Sequence, residues 1–282
     1  MTKYRNKPFT LKLGVLAVML FSMLFLWACS EDDDTKQAKN VDLEEALDSR
    51  DYDYILGKLS YMSYENSADP AQWVFIPGVN MTYRQIYLLQ MACVGKAGFD
   101  IRHIINELYD DDSDSTDLIM QSLNDGEQLS ALSIKAKRFW LHNNKNIADS
   151  MSYGNKDIEF AAGWAGSLDT ILIIAQISAE LSTELVSFDK DNPNYVGKIY
   201  EGMLDSEIDS HVAPYVSDVD SNVRRLAQSV DDLDVKDEED KGKIKEKLDK
   251  FTEDIENPDG SIDTTSVREF IKKKIVKTEP QP

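Results

Sequence analysis

Apolar residues recur every three or four positions along most of this 282-residue chain, a period that predicts α-helices rather than strands. The first apolar stretch, Leu13 to Ala28, is continuous instead of periodic. Leu43, Ala46 and Leu47, then Ile55, Leu56 and Leu59, flank Ser49-Arg50-Asp51 and predict two short helices joined by a tight turn. Pro70, Pro77 and Gly78 break the pattern between residues 63 and 81, which predicts a long surface loop. Trp73, Val74, Phe75 and Ile76 are expected to pack inward there, in the one stretch where a strand fits. Thr82 predicts an N-cap for a helix to about Gly95, with Ile86, Leu89, Cys93 and Val94 on its buried face. Phe99 to Leu108 predicts the next helix, ended by the acidic run Asp110 to Asp114.

Leu129, Leu132, Ala136 and Phe139-Trp140 predict a helix that stops at the Asn-rich segment His142 to Asn146. Residues 158–186 read as the central helix, with Trp164, Leu168, Ile171, Leu172, Ala175, Ile177 and Leu181 on it. Glu159, Asp169, Gln176 and Glu180 argue against a membrane span, since one carboxylate near the bilayer centre costs about 2.5 to 3.5 kcal/mol. Ala162, Gly163 and Gly166 form a small face that would let a second helix approach closely. A helix is expected from Asn192-Pro193, another over 212–230, and a charged amphipathic one from Lys241 to Ile255. Asn257 to Gly260 turns the chain, and Ser266 with Glu269 predicts a capping box for a last helix.

The amino terminus carries Lys3, Arg5, Lys7 and Lys12 with no acidic residue, and its apolar run closes on Leu26-Trp27-Ala28-Cys29. Leu26, Ala28 and Cys29 resemble the lipobox of bacterial lipoproteins, with Trp27 standing where that family has a small residue. The resemblance implies cleavage before Cys29, diacylglyceryl attachment to its sulfur and acylation, palmitate included, of the new amino terminus. Ser30 in place of Asp implies the outer membrane, on its periplasmic or surface face, and Glu31 to Asp34 is similar to acidic stretches that send some lipoproteins to the cell surface. The rival readings are an uncleaved anchor helix and, for the acids, a solvated spacer. Residues 1–28 are then a signal peptide, 29–40 a flexible tether, 41–230 a helical core domain, and 231–282 an acidic linker with a charged helical hairpin.

The fold class that follows is all-α. The helix pairs are similar to tetratricopeptide repeats in their apolar skeleton, through Leu43, Ala46, Leu47, Ile55 and Leu56, then Leu88, Ala92, Ile101, Ile105 and Leu108. Gln85, Leu89 and Ile101 replace the Trp, Gly and Ala that this family prefers, so the resemblance implies helical hairpins in a degenerate array, with an irregular helical bundle as the plainer alternative.

A formal charge of −20, lowered by a further four when Lys3, Arg5, Lys7 and Lys12 leave with the signal, repels nucleic acid and anionic lipid. The cluster Lys272, Lys273, Lys274 and Lys277 reads as the solvated basic end of the last helix. With Cys29 acylated, Cys93 is alone, and its apolar setting predicts a buried inert thiol. His103, His142 and His211 are too scattered for a metal framework. Ser167 lacks the glycines of a nucleophile elbow, and Glu44 with Asp48 or Asp205 with Asp209 are coincidences in so acidic a chain. Residues 257–263 resemble the middle of an EF-hand, but Ile255 and Ser266 occupy the two end ligand positions. No catalytic, cofactor or metal set stands out. The reading is a non-enzymatic lipoprotein bound to the bilayer through Cys29, docking an envelope protein and no nucleic acid. The alternative is a small-molecule or solute-binding lipoprotein of a transport system, with Trp73, Phe75, Trp140 and Trp164 lining a pocket.

Overall fold

A computed structural model describes residues 41–63, 68–99, 128–231 and 238–276; the signal, Cys29, the tether, His103 and, beyond Phe99, the helix expected from Phe99 to Leu108 lie outside them. Leu43–Pro282 forms one compact unit. Helix α1 (Val41–Asp48) turns through Arg50, at φ +61°, into α2 (Tyr52–Leu59), whose first turn is capped by Asp51 accepting from Tyr54 N at 3.1 Å. Strand β1 (Ser60–Ser63) follows directly, and a 3₁₀ turn at Pro70–Gln72 leads into β2 (Val74–Pro77). The two strands pair antiparallel, with Tyr61 opposite Ile76 and Ser63 opposite Val74.

This hairpin corrects the expectation that residues 73 to 76 all pack inward. The period of two puts Phe75 toward the body and leaves Val74 and Ile76 outside. Trp73 and Phe75 stack edge-on against Phe139 and Trp140, at 5.4 and 6.0 Å.

Helix α3 (Tyr83–Lys96) begins with the predicted Thr82 cap, completed by Gln85 into a capping box, and ends before Gly98 at φ +90°. Gly95 is needed inside it, because a Cβ there would overlap the Tyr52 ring of α2. Helix α4 (Ala131–Met151) is capped by Ser130 and runs straight through His142 to Asn146, where the sequence reading ended it. Those asparagines have partners: Asn143 donates to Phe139 O at 2.9 Å and the buried Asn144 donates to Gln90 O of α3 at 2.9 Å.

Helix α5 (Lys156–Ser182) is the predicted central element, capped by Asn155 and ended by Thr183 in the left-handed region at φ +55°. Nearly every residue from Ala161 to Ala179 is buried, which accounts for a helix apolar enough to cross a membrane that instead forms the core. Helix α6 (Val196–Tyr200) starts later than Asn192-Pro193, since those residues form a turn first. Helices α7 (Asp205–Val212) and α8 (Val216–Asp231) are separated by a 3₁₀ turn carrying Pro214. Helix α9 (Glu238–Ile255) and α10 (Thr264–Phe270) complete the body, and a π turn, Ile271–Ile275, follows. The cap of α10 is Asp263, exchanging hydrogen bonds with Ser266, rather than Ser266 with Glu269.

Helices α3, α4, α5 and α8 pack antiparallel in that order. Gly163 and Gly166 are the crossing point of α5 and α8: a Cβ at Gly163 would lie 3.0 Å from Leu226 Cα, and one at Gly166 would lie 3.2 Å from Asn222 Cα. The basic segment is paired and partly exposed: Lys272 and Lys273 have side chains 38% and 65% exposed, and Lys277 lies outside the described residues. Arg268 pairs with Asp209 at 2.6 Å and Lys272 with Asp205, which ties the segment after residue 231 to α7, while Lys274 pairs with Asp254 of α9 at 2.7 Å.

Candidate functional site

Arg138, His142 and Lys145 stand at i, i+4 and i+7 on α4, so one face of that helix presents all three to α5. Asp169 of α5 meets them with no exposed surface. Arg138 Nε donates to its Oδ1 at 2.8 Å, and Lys145 Nζ donates to its Oδ2 at 3.1 Å. His142 Nε2 lies 3.2 Å from the same Oδ2. Asn222 of α8 donates to Oδ2 at 3.2 Å while accepting from Lys145 at 2.7 Å. The other donors of Arg138 reach Gln176 at 2.7 Å and Asp218 at 3.2 Å, and its guanidinium lies 5.5 Å from the centre of the Tyr215 ring.

Burial pushes the Asp169 carboxyl up, but the His142 hydrogen bond and the Lys145 and Arg138 charges outweigh it and hold the group far below the usual carboxylate range. Each oxygen of Asp169 is engaged, so the cluster is a tie between three helices with its charges spent on one another. Sequence reasoning noted His142 and Asp169 separately and missed Arg138, Lys145, Asp218 and Asn222. The signal available was the i, i+4, i+7 spacing of Arg138, His142 and Lys145 on α4 and the single acid, Asp169, in the apolar middle of α5.

The second feature is a surface. Among the described residues, ten large apolar side chains are exposed, and Tyr61, Val74, Ile76, Val79 and Tyr83 are five of them. They occupy the outer face of the hairpin, the loop from β2 to α3 and the first residue of α3, and residues 60–63 and 70–83 contain no Asp, Glu, Lys, Arg or His. In a chain that is 29% charged, such a run is a distinct patch. Val79 is the most exposed of the set, at 81%.

Ser167 is buried in α5, donating to Trp164 O at 2.7 Å. Cys93 is fully buried, and burial pushes its thiol far up. His211 is exposed on α7. Glu44 pairs with Arg84 at 2.9 Å, and Asp205 and Asp209 both face Arg268. In the EF-hand-like loop Asp259 accepts from Ser261 N at 3.0 Å and Asp263 caps α10, and among the described residues no group of three His, Cys, Asp or Glu gathers to hold a metal. A cleft of about 120 Å³ between Ser182, Leu185, Pro193 and Ile199 is smaller than the roughly 300 to 1,000 Å³ of small-molecule sites. No protein-family model, curated protein or solved structure matches this chain.

Proposed function

We propose that the protein is a non-enzymatic lipoprotein of the bacterial cell envelope, held to a bilayer by acyl chains on Cys29 and presenting its helical hairpins, in a tetratricopeptide-like layout, to an envelope protein. The anchor rests on the order of positive start, apolar run and Leu26-Trp27-Ala28-Cys29. Two or three acyl chains hold stably where one is marginal, at about 0.8 kcal/mol per buried methylene.

The observation that carries the docking role is how the ionisable groups are distributed. The interior cluster satisfies itself around Asp169 and ties α4, α5 and α8 into one frame, while over the whole chain 51 Asp and Glu outnumber 31 Lys and Arg. Surplus negative charge on such a body suits steered contact with a basic protein surface and disfavours nucleic acid. The test is cross-linking of the native protein in intact envelopes followed by mass spectrometry. A stoichiometric partner whose contact surface is basic supports the role, and recovery of the uncross-linked chain alone at native abundance refutes it.

A further inference from the structure

The base of the hairpin and the loop before α3 sit at the end of the body from which the chain leads back to Cys29, and the hairpin extends from there along the body to Phe139 and Trp140. Arg84, in the first turn of α3, pairs with Glu44 in the first turn of α1 at 2.9 Å. Farther along α3, Gln90 donates to Ile158 O in the first turn of α5 at 3.2 Å. Helices α1 and α3 therefore begin at one end, α5 begins level with the middle of α3, and Gly78 N, donating to Leu59 O at 2.7 Å, closes the base of the hairpin beside the start of α3. Leu185 lies at the other end, just past the C-terminus of α5, whose 27 residues span about 40 Å.

The chain from Cys29 to Val41 is short, reaching about 40 Å at full extension. We propose that Tyr61, Val74, Ile76, Val79 and Tyr83 form a membrane-seating face that enters the headgroup region of a neutral, zwitterionic bilayer, an inference that rests on the acylation of Cys29. Three properties select this occupant. The patch brings no ion that would have to be desolvated, and its tyrosines and branched aliphatics are side chains that favour the interface. The formal charge, −20 over the full sequence and four lower once the signal leaves, opposes both anionic lipid and a second copy of the same acidic chain. The tether supplies the remainder: a short linker holds a weak site at an effective concentration in the millimolar range, so a small patch suffices once the anchor is in place.

Cys29 is acylated in this reading and Cys93 is buried, so one introduced cysteine takes a fluorophore alone. The acylated full-length mature chain carrying Val79→Cys, labelled with an environment-sensitive dye, is reconstituted into phosphatidylcholine and phosphatidylethanolamine vesicles with brominated acyl chains. Leu185→Cys, labelled likewise, is the reference. The expected result is blue-shifted emission and bromolipid quenching at position 79 and neither at 185, with quenching at 79 reduced by Tyr61→Ser plus Ile76→Ser and by replacing the lipid with phosphatidylglycerol. Intact mass on the same sample separates the two failures. An acylated chain with an unquenched label at 79 overturns the seating face and leaves the anchor standing, whereas an unacylated chain overturns the anchor reading itself. Equal quenching at both positions overturns the proposal too. So does a shift at 79 that needs added envelope protein, or one in the Cys29→Ser chain that grows with protein concentration without lipid; these assign the face to a protein partner or a second copy.

Discussion

Replacing Asp169 with Asn keeps the side-chain volume and removes the charge that faces Arg138 and Lys145. Those two cations have side chains only 11% and 14% exposed, so neither can turn to water without disturbing α4. Breaking a buried pair by removing one partner costs about 3 to 5 kcal/mol, because the surviving charge is left uncompensated. Asp218, still 3.2 Å from Arg138, offsets part of this, which places the expected loss near the lower bound of about 3 kcal/mol. For a body of this size that corresponds to roughly 6 to 12 °C in Tm. The assay is thermal and urea unfolding followed by circular dichroism, for the native chain and Asp169→Asn, between pH 7 and pH 3. The pH dependence has a definite sign. A carboxyl held below its unfolded value of about 3.9 contributes its full stability above that pH and loses it as the pH falls toward the depressed folded value. The gap between the two proteins is therefore widest near neutrality and narrows on acidification below about pH 4. A loss below about 1 kcal/mol at pH 7, or a gap that does not change with pH, would refute the view of this cluster as the tie between α4, α5 and α8.

Three further outcomes follow from the same structure. Gly163→Ala should destabilise by about 1 to 3 kcal/mol, because the new methyl meets Ser229 Oγ and lies 3.0 Å from Leu226 Cα, whereas Gly242→Ala, with open space around it in α9, should stabilise by about 0.5 to 1 kcal/mol; urea midpoints decide both. Thr82→Ala removes the cap of α3 and should cost about 0.5 to 2 kcal/mol in the same measurement, with hydrogen exchange rising first in residues 83–86. The buried Cys93 should react with a thiol reagent only on unfolding, so its labelling rate should follow urea-induced unfolding; rapid labelling of the native protein would contradict the packing of α3.

The legible parts of the fold are those in which a residue's partners lie within a turn or two of it. Thr82 with Gln85 reads directly from the chain because a capping box is local. The small face of Ala162, Gly163 and Gly166 correctly announced a close helix, since a stripe without side chains on an apolar helix leaves little else to do, although nothing in the stripe named α8 as the occupant. The misread parts depend on distant partners. Asn144 looks like a helix breaker until Gln90, 54 residues earlier, takes its hydrogen bonds. Asp169 served only as an argument against a membrane span, because the cations that accommodate it sit 24 and 31 residues away on α4. Val74 and Ile76 were placed inside on hydropathy alone, and their exposure follows from a strand period that only the pairing with β1 fixes. The outward apolar face was therefore invisible to a reading that equated apolar with buried.

The claim on which the functional account depends is acylation of Cys29. Intact-mass analysis of the native protein extracted from its membrane, with release of the two ester-linked acyl chains by mild alkali and retention of the amide-linked one, measures it directly. The account predicts a chain beginning at Cys29 that carries a diacylglyceryl group and an amide-linked acyl chain. An amino terminus at Met1, or an unmodified Cys29 thiol in membrane-extracted material, would contradict it.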